Sequence, residues 1–243
     1  MPVWNPWRGC HRYSEGCRYC YIHKGDARRG VDTNRIVKTD RFYAPVERTK
    51  RSGEYKMKPG KLVYLCFTSD YLLEDADPWR EECWRMIRER QDLSFLFLTK
   101  RIERFMDCIP EDWGEGYDNV IVGCTVENQA AADRRLPVFR ELPIRHRNII
   151  CQPMIEKMDI SAYLDGVELV VAGGESDRNA RVLDYDWVLF LREQCRRKQV
   201  DFQFRQCGSL FLKDGVLYRL NPKVLCSQAR KAGIDLRFGR EHI

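Results

Sequence analysis

The sequence has no apolar run long enough to span a bilayer, so no membrane partner is expected. Its opening residues, Met1-Pro2-Val3-Trp4-Asn5, lack the basic and apolar regions of a secretion signal, and the expected compartment is the cytoplasm. Internal repeats, low-complexity tracts and Pro/Gly-rich linkers are also missing, which leaves no natural boundary. A single domain over residues 1–243 is therefore expected. A disulfide framework is excluded on similar grounds. The eleven cysteines are an odd number, and a reducing compartment keeps thiols free.

What is present reads as an ordinary globular chain, with 44% hydrophobic and 32% charged residues. Its length suits a (β/α) barrel with one well-buried core. The net charge of +6, from 42 Lys and Arg against 36 acids, is spread along the chain. It permits an anionic partner without requiring one.

Short apolar runs predict strands at Leu62–Thr68, Ser94–Thr99, Asn119–Val126, Asn148–Gln152, Glu168–Ala172 and Asp201–Phe204. Several are apolar almost throughout, as expected of strands covered on both faces. Helical patterns fall between them. Pro78–Arg90 carries Trp79, Cys83, Met86 and Ile87 on one stripe, with Asp77 as the expected N-cap. Asp184–Lys198 carries Trp187, Phe190, Leu191 and Cys195 on one face. Ile102–Cys108 and Gln129–Leu142 fill two further gaps, the latter expected to break or kink at Pro137. Residues 25–60 are polar and basic, and suggest a first helix followed by a surface excursion. The alternation of strand and helix predicts a parallel sheet, either a barrel or doubly wound.

Polar residues follow each strand directly: Thr68-Ser69-Asp70, Thr99-Lys100-Arg101, Glu127-Asn128, Gln152-Pro153, Gly173-Gly174-Glu175-Ser176 and Arg205-Gln206. Ligand sites of parallel α/β folds are built at these carboxyl ends, so most of the six are expected to line one pocket. Helix capping accounts for any single cluster equally well.

The cysteines divide sharply. Eight are scattered singly and read as small buried hydrophobes. Cys10, Cys17 and Cys20 are crowded into the first twenty residues with spacing C-x6-C-x2-C. Two intervening residues let a tight loop aim both sulfurs of Cys17 and Cys20 at one centre, as structural zinc and iron–sulfur sites require. Zinc in a closed site needs a fourth ligand, for which His11 and His23 are the nearby candidates. Three thiolates on a four-iron cluster instead leave one iron open to a small molecule.

Cys17-Arg18-Tyr19-Cys20, with its aromatic residue before the last cysteine, resembles the second half of the radical S-adenosylmethionine (SAM) signature. The usual spacing there is C-x3-C-x2-C; here Tyr13 stands at the first-cysteine position and Cys10 lies three residues earlier. A closer resemblance is to the radical-SAM-like three-cysteine-motif family known in phages as gene products thirty-seven and sixty-eight. The matching stretches are Trp4-Asn5-Pro6-Trp7 with the cysteine loop, Thr68-Ser69-Asp70, Asp77-Pro78-Trp79-Arg80 and Leu98-Thr99-Lys100-Arg101. Further on come Val126-Glu127-Asn128-Gln129, Gly173-Gly174-Glu175-Ser176 and Phe204-Arg205-Gln206. Gln152-Pro153 stands where that family favours an acid before proline.

The resemblance implies a partial or complete parallel (β/α) barrel of the radical SAM type. It implies a 4Fe-4S cluster on Cys10, Cys17 and Cys20, near a loop at residues 9–21, with SAM chelated by the open iron. An electron from a donor such as a flavodoxin or ferredoxin would release a 5′-deoxyadenosyl radical to act on a substrate. The implied cofactor-binding residues are Tyr19, Asp70, Lys100, Arg101, Glu127, Gly173, Gly174, Glu175 and Ser176. Among these, Lys100 or Arg101 would pair with the methionine carboxylate, and Asp70 or Glu175 would receive the ammonium or the ribose hydroxyls. Gly173-Gly174 would let the backbone approach the ligand. Cys151 and Cys207, near predicted strand ends, are candidate hydrogen donors to a substrate radical, the plainer reading being buried thiols.

A nucleic acid or nucleotide substrate is expected from the basic charge and the Arg-rich helices, and a partner protein encoded nearby from the resemblance. The rival reading is a non-catalytic nucleic-acid-binding module with a structural zinc or iron–sulfur site. In it, Trp4, Trp7, Tyr13, Tyr19 and Tyr21 stack on bases, although shielding a cluster explains these aromatics as well.

Overall fold

Seven parallel strands form the main sheet, and their spatial order follows their order in the chain. The computed structural model describes residues 2–239; Met1 and residues 240–243 of the expected domain lie outside the described residues. The strands of the main sheet are β1 (Val3–Trp4), β4 (Lys61–Leu65), β5 (Leu93–Thr99), β6 (Val120–Thr125), β7 (His146–Cys151), β8 (Leu169–Gly173) and β10 (Asp201–Gln206). A doubly wound sheet would reverse direction at a switch point, and this order has none. Among the described residues the sheet does not close: β1 and β10 are its two edges. The architecture is α/β, a partial parallel barrel, and the complete-barrel alternative is not realised.

Composition explains the layering. All six residues of the central strand β6 are buried, as continuous apolarity predicts for a strand covered on both faces. The connections carry α1 (Tyr21–Arg28), α2 (Asp77–Glu89), α3 (Phe105–Cys108), α4 (Gln129–Glu141) and α5 (Tyr185–Lys198). Asn128 caps α4, its side-chain oxygen accepting from Ala131 N at 2.8 Å, and Asp184 caps α5 by accepting from Asp186 N. Among the described residues no helix is long and apolar enough to cross a membrane.

Two expectations for the helices need correcting. Ala76, not Asp77, is the N-cap of α2; Asp77 is its first residue, and its carboxylate pairs with Arg80 and Arg104 instead. Helix α4 continues through Pro137, so of the break or kink expected there the break does not occur. The buried Leu136 and Phe139 anchor it on both sides of the proline, and this packing outweighs one lost backbone bond. The stripe of α2 also buries Arg80 and Trp84, while Trp79 stays half-buried. On α5 the buried face is Val188, Leu191, Gln194 and Cys195, with Trp187 and Phe190 at its margin.

Short elements complete the molecule. Strands β2 (Trp7–Arg8) and β3 (Val37–Lys38) form an antiparallel pair. Strands β9 (Val182–Asp184), β11 (Leu210–Lys213) and β12 (Val216–Arg219) form a second sheet in the order β12-β11-β9, followed by α6 (Leu225–Lys231). The turn between β11 and β12 is Asp214-Gly215, both at positive φ, the mirror-image turn that suits a two-residue hairpin.

Glycine substitutions test the packing. A Cβ on Gly174 would lie 2.5 Å from Gly208 Cα, backbone against backbone, whereas Gly25 inside α1 has nothing within 4 Å. Gly174→Ala should lower stability by about 2 kcal/mol or more. Gly25→Ala should raise it by about 0.5–1 kcal/mol through helix propensity. Urea unfolding followed by circular dichroism checks both signs.

Candidate functional site at the carboxyl ends of the strands

The cysteine loop lies across the carboxyl ends of the parallel strands, held there by the polar residues that follow them. After β4, Thr68 Oγ1 donates to Trp7 O at 3.0 Å and Ser69 Oγ donates to Gly9 O. After β5, Arg101 Nη2 donates to His11 O at 3.1 Å. After β6, Glu127 Oε1 accepts from Gly16 N at 3.4 Å. Beyond β8, Glu175 is paired with Arg181, whose guanidinium also reaches the carboxylate and the carbonyl of Glu15.

Asp70 anchors this arrangement. It is buried, and its two oxygens accept from four donors: Thr99 Oγ1 at 2.7 Å, Leu72 N and Lys100 N at 3.0 Å each, and Arg101 Nη1 at 3.2 Å. A carboxylate offers about four lone-pair sites, so Asp70 has none left for a ligand. Arg101, equally buried, is committed to Asp70 and His11 and lies 4.8 Å from the Tyr13 ring. Arg134 and Arg135 face the same ring at 5.3 Å each.

Glu127 is a second buried anchor. Arg135 Nη1 donates to its Oε2 at 2.8 Å, with both side chains about 1% exposed. Burial pushes this carboxyl up, but the Arg135 hydrogen bond and charge, helped by Lys100, outweigh it and hold it below the usual glutamate range. Ser14, Glu15, Glu127, Asn128, Arg134 and Arg135 border a small cavity of about 180 Å³ beneath the loop.

The remaining predicted residues separate into committed and free groups. Glu175 is buried and fixed by Arg181. Gly173 and Gly174 are needed for contacts within the chain: Gly173 abuts the Gln152 and Gln206 side chains, and Gly174 abuts the Gly208 backbone. Tyr19 is half-buried, with Arg18 and Arg181 at 5.3 and 5.7 Å from its ring. Two predicted groups are uncommitted. The Lys100 ammonium has no hydrogen-bond or ion-pair partner among the described residues, and Ser176 is exposed. Cys151 and Cys207 are buried; burial pushes the Cys207 thiol up to about 11 and also raises the Cys151 thiol well above the usual thiol range. Of the eight scattered cysteines, Cys226 alone is exposed, against the expectation of burial.

Cys10, Cys17 and Cys20 are reduced and half-buried. The Cys10 thiol is pushed up to about 12, by burial first and by the Asp70 charge next; Arg101 opposes the rise, and the thiolate charges of Cys17 and Cys20 add to it. The three sulfurs are therefore electrostatic neighbours. Among the described residues no group of three or more His, Cys, Asp or Glu converges on one point as a single metal ion requires. Three cysteine thiols on one loop are, by their chemistry, donors of the kind that hold iron–sulfur clusters. Of the histidines proposed for zinc, His11 pairs with Asp75 at 3.0 Å and His23 lies on α1.

Sequence reasoning missed Glu15, Arg135 and Arg181 as parts of this assembly, and named Tyr13 only as one of the aromatics around the cysteines. Arg135 and Arg181 carried no motif signal, because a single arginine reads as surface. Trp4 and Trp7, proposed to stack on bases, are fully buried core residues. Trp4 donates through Nε1 to Phe42 O, and Trp7 stacks on Tyr71.

The class of molecule defined here is a partial parallel α/β barrel with a cysteine-bearing loop over its strand ends. The chain belongs to the family described as Protein of unknown function (DUF5131), which it matches over residues 2–236. No curated protein and no solved structure matches it.

Glu127→Gln leaves the Arg135 charge buried without a counter-ion and should cost about 3 kcal/mol at neutral pH. A carboxyl held below its usual range contributes stability above the unfolded-state value, near 4.3, and loses it as pH falls through the lower folded-state value. Denaturant midpoints measured from pH 7 down to 3 should therefore show a smaller acid-induced loss in Glu127→Gln than in the wild type.

Proposed function

We propose that this protein is a radical SAM-type enzyme whose Cys10, Cys17 and Cys20 hold a 4Fe-4S cluster. The observation that carries the reading is the placement of the one three-cysteine loop across the carboxyl ends of an unclosed parallel sheet. In folds of this kind, that end builds the reaction site. The resemblance of the cysteine loop and of the strand-end motifs to the radical-SAM-like phage family supports the same assignment.

A cluster bound there would supply the electron that cleaves SAM and starts radical chemistry on a substrate. The residues of the chain have narrower tasks. Asp70, Arg101, Glu127 and Arg181 hold the loop backbone at residues 11, 16 and 15, fixing the thiols over the strand ends. Lys100, the uncommitted cation beside them, pairs with the carboxylate of the bound SAM. Ser176 offers a hydroxyl at the rim of the site. Cys151 is fully buried, and Cys207 borders a pocket beside the second sheet and not the cysteine loop, so we give neither a catalytic role.

Anaerobically purified protein should be brown and contain about four irons and four sulfides. Cys17→Ala should remove the colour; stoichiometric zinc without sulfide would overturn the cluster and leave the structural-metal reading. Reduced protein should convert SAM slowly to 5′-deoxyadenosine, measured by chromatography. Lys100→Ala should weaken SAM binding about tenfold or more, the cost of one charge-assisted pair, with iron content unchanged. A fully loaded cluster that neither binds nor cleaves SAM would sink the enzymatic reading.

A further inference from the structure

The second sheet, α6, the end of β10 and Tyr185 of α5 border a half-open cavity of about 280 Å³ that the cysteine site does not use. Its wall is aromatic. Phe211 and Tyr218 are directly opposite residues of the β11–β12 hairpin and so present their rings on one face. Tyr185 lies edge-on to Phe211 at 5.8 Å, and Phe204 lies 6.2 Å from Phe211 at an interplanar angle of 29°. Tyr218 is 44% exposed, so part of this aromatic wall is open to solvent.

The charge of the lining is one-sided. Lys213, two residues beyond Phe211 and on the same strand face, and Lys231 on α6 both border the cavity, and among the described residues no carboxylate does. The nearest acid to Lys213 is the exposed Asp214 at 3.9 Å, outside the lining. Gln228 adds an amide that donates and accepts. The volume lies just under the usual range for small-molecule pockets, so it suits one compact ligand unit and not an extended one. Planar rings, two ammonium groups and one amide select a ligand that is flat, able to hydrogen-bond at its edge, and anionic.

We propose that this cavity binds one nucleotide unit, its base against the Phe211–Tyr218 wall and its phosphate between Lys213 and Lys231. Stacking on an aromatic face works with any base, and the ammonium pair supplies charge complementarity. The same chemistry is offered by a free mononucleotide and by one unit of a single strand. The cavity shares no residue with the cysteine loop, so binding here is independent of any cluster and persists in Cys17→Ala.

Titration calorimetry on the full chain with adenosine monophosphate, adenosine, ribose 5-phosphate and a short deoxyadenosine single strand tests this. Adenosine monophosphate or the strand should bind, with adenosine and ribose 5-phosphate each about tenfold weaker or worse. Binding of the mononucleotide assigns a free nucleotide, and binding of the strand alone assigns a polymer. Tyr218→Ala should weaken the ligand about fivefold or more, with at most a small drop in unfolding midpoint from the lost cross-strand contact with Phe211. The double variant Lys213→Ala/Lys231→Ala should do likewise, and should lower the salt slope of strand binding by about 1.4. The proposal fails if neither nucleotide ligand binds, if both variants bind as the wild type does, or if ribose 5-phosphate binds as tightly as adenosine monophosphate.

Discussion

The buried carboxylate of Asp70 joins three parts of the molecule that sequence keeps far apart. It follows β4, takes the backbone of Lys100 and the hydroxyl of Thr99 at the end of β5, and orients Arg101 toward the cysteine loop. A surface ion pair of this kind contributes little, because water competes for both partners. Here both side chains are nearly inaccessible, so each depends on the other to avoid an unpaired buried charge. Glu127 and Arg135 repeat the device one strand further along the sheet, again ending on the backbone of the loop. The loop that carries the thiols has almost no regular structure of its own, and these charged anchors take the place of a hydrophobic face.

The large elements were legible because burial leaves a mark in composition. Six of the seven strands of the main sheet lie within a few residues of their expected limits, several of them as nearly continuous apolar runs. The seventh, Val3–Trp4, is too short to show a pattern and exists only because β4 offers an edge to pair with. The β11–β12 hairpin had a usable signal, Asp214-Gly215 between two four-residue strands, and all four residues of β12 are exposed, which hides them from a reading based on burial. Arg80 and Arg135 were unreadable for the opposite reason. A charged residue within a helix looks like surface unless its partner across the fold is known.

The site was half legible. Three crowded cysteines and polar strand ends pointed to one end of the sheet, where the structure does bring them together, but not to how the polar groups are used. Asp70, Arg101, Glu127 and Glu175 have the chemistry of ligand-binding residues and are consumed by contacts within the protein. Gly174 has the backbone freedom expected at a ligand and uses it for close approach to Gly208. A residue that fastens a loop and one that fastens a cofactor obey the same rules of charge and hydrogen bonding, so type and position alone do not separate them. Only the three-dimensional partners do, and they leave Lys100 and Ser176 as the unspent groups.

Because strand order matches chain order, the fasteners of the loop are also ranked across the sheet. Ser69 lies 60 residues on from Gly9, Arg101 lies 90 from His11, Glu127 lies 111 from Gly16, and Arg181 lies 166 from Glu15. One short loop is thus stitched at successive points to strand ends drawn from widely separated parts of the chain. Its shape is a property of the whole sheet, and a change in the spacing of any one strand is felt at the thiols.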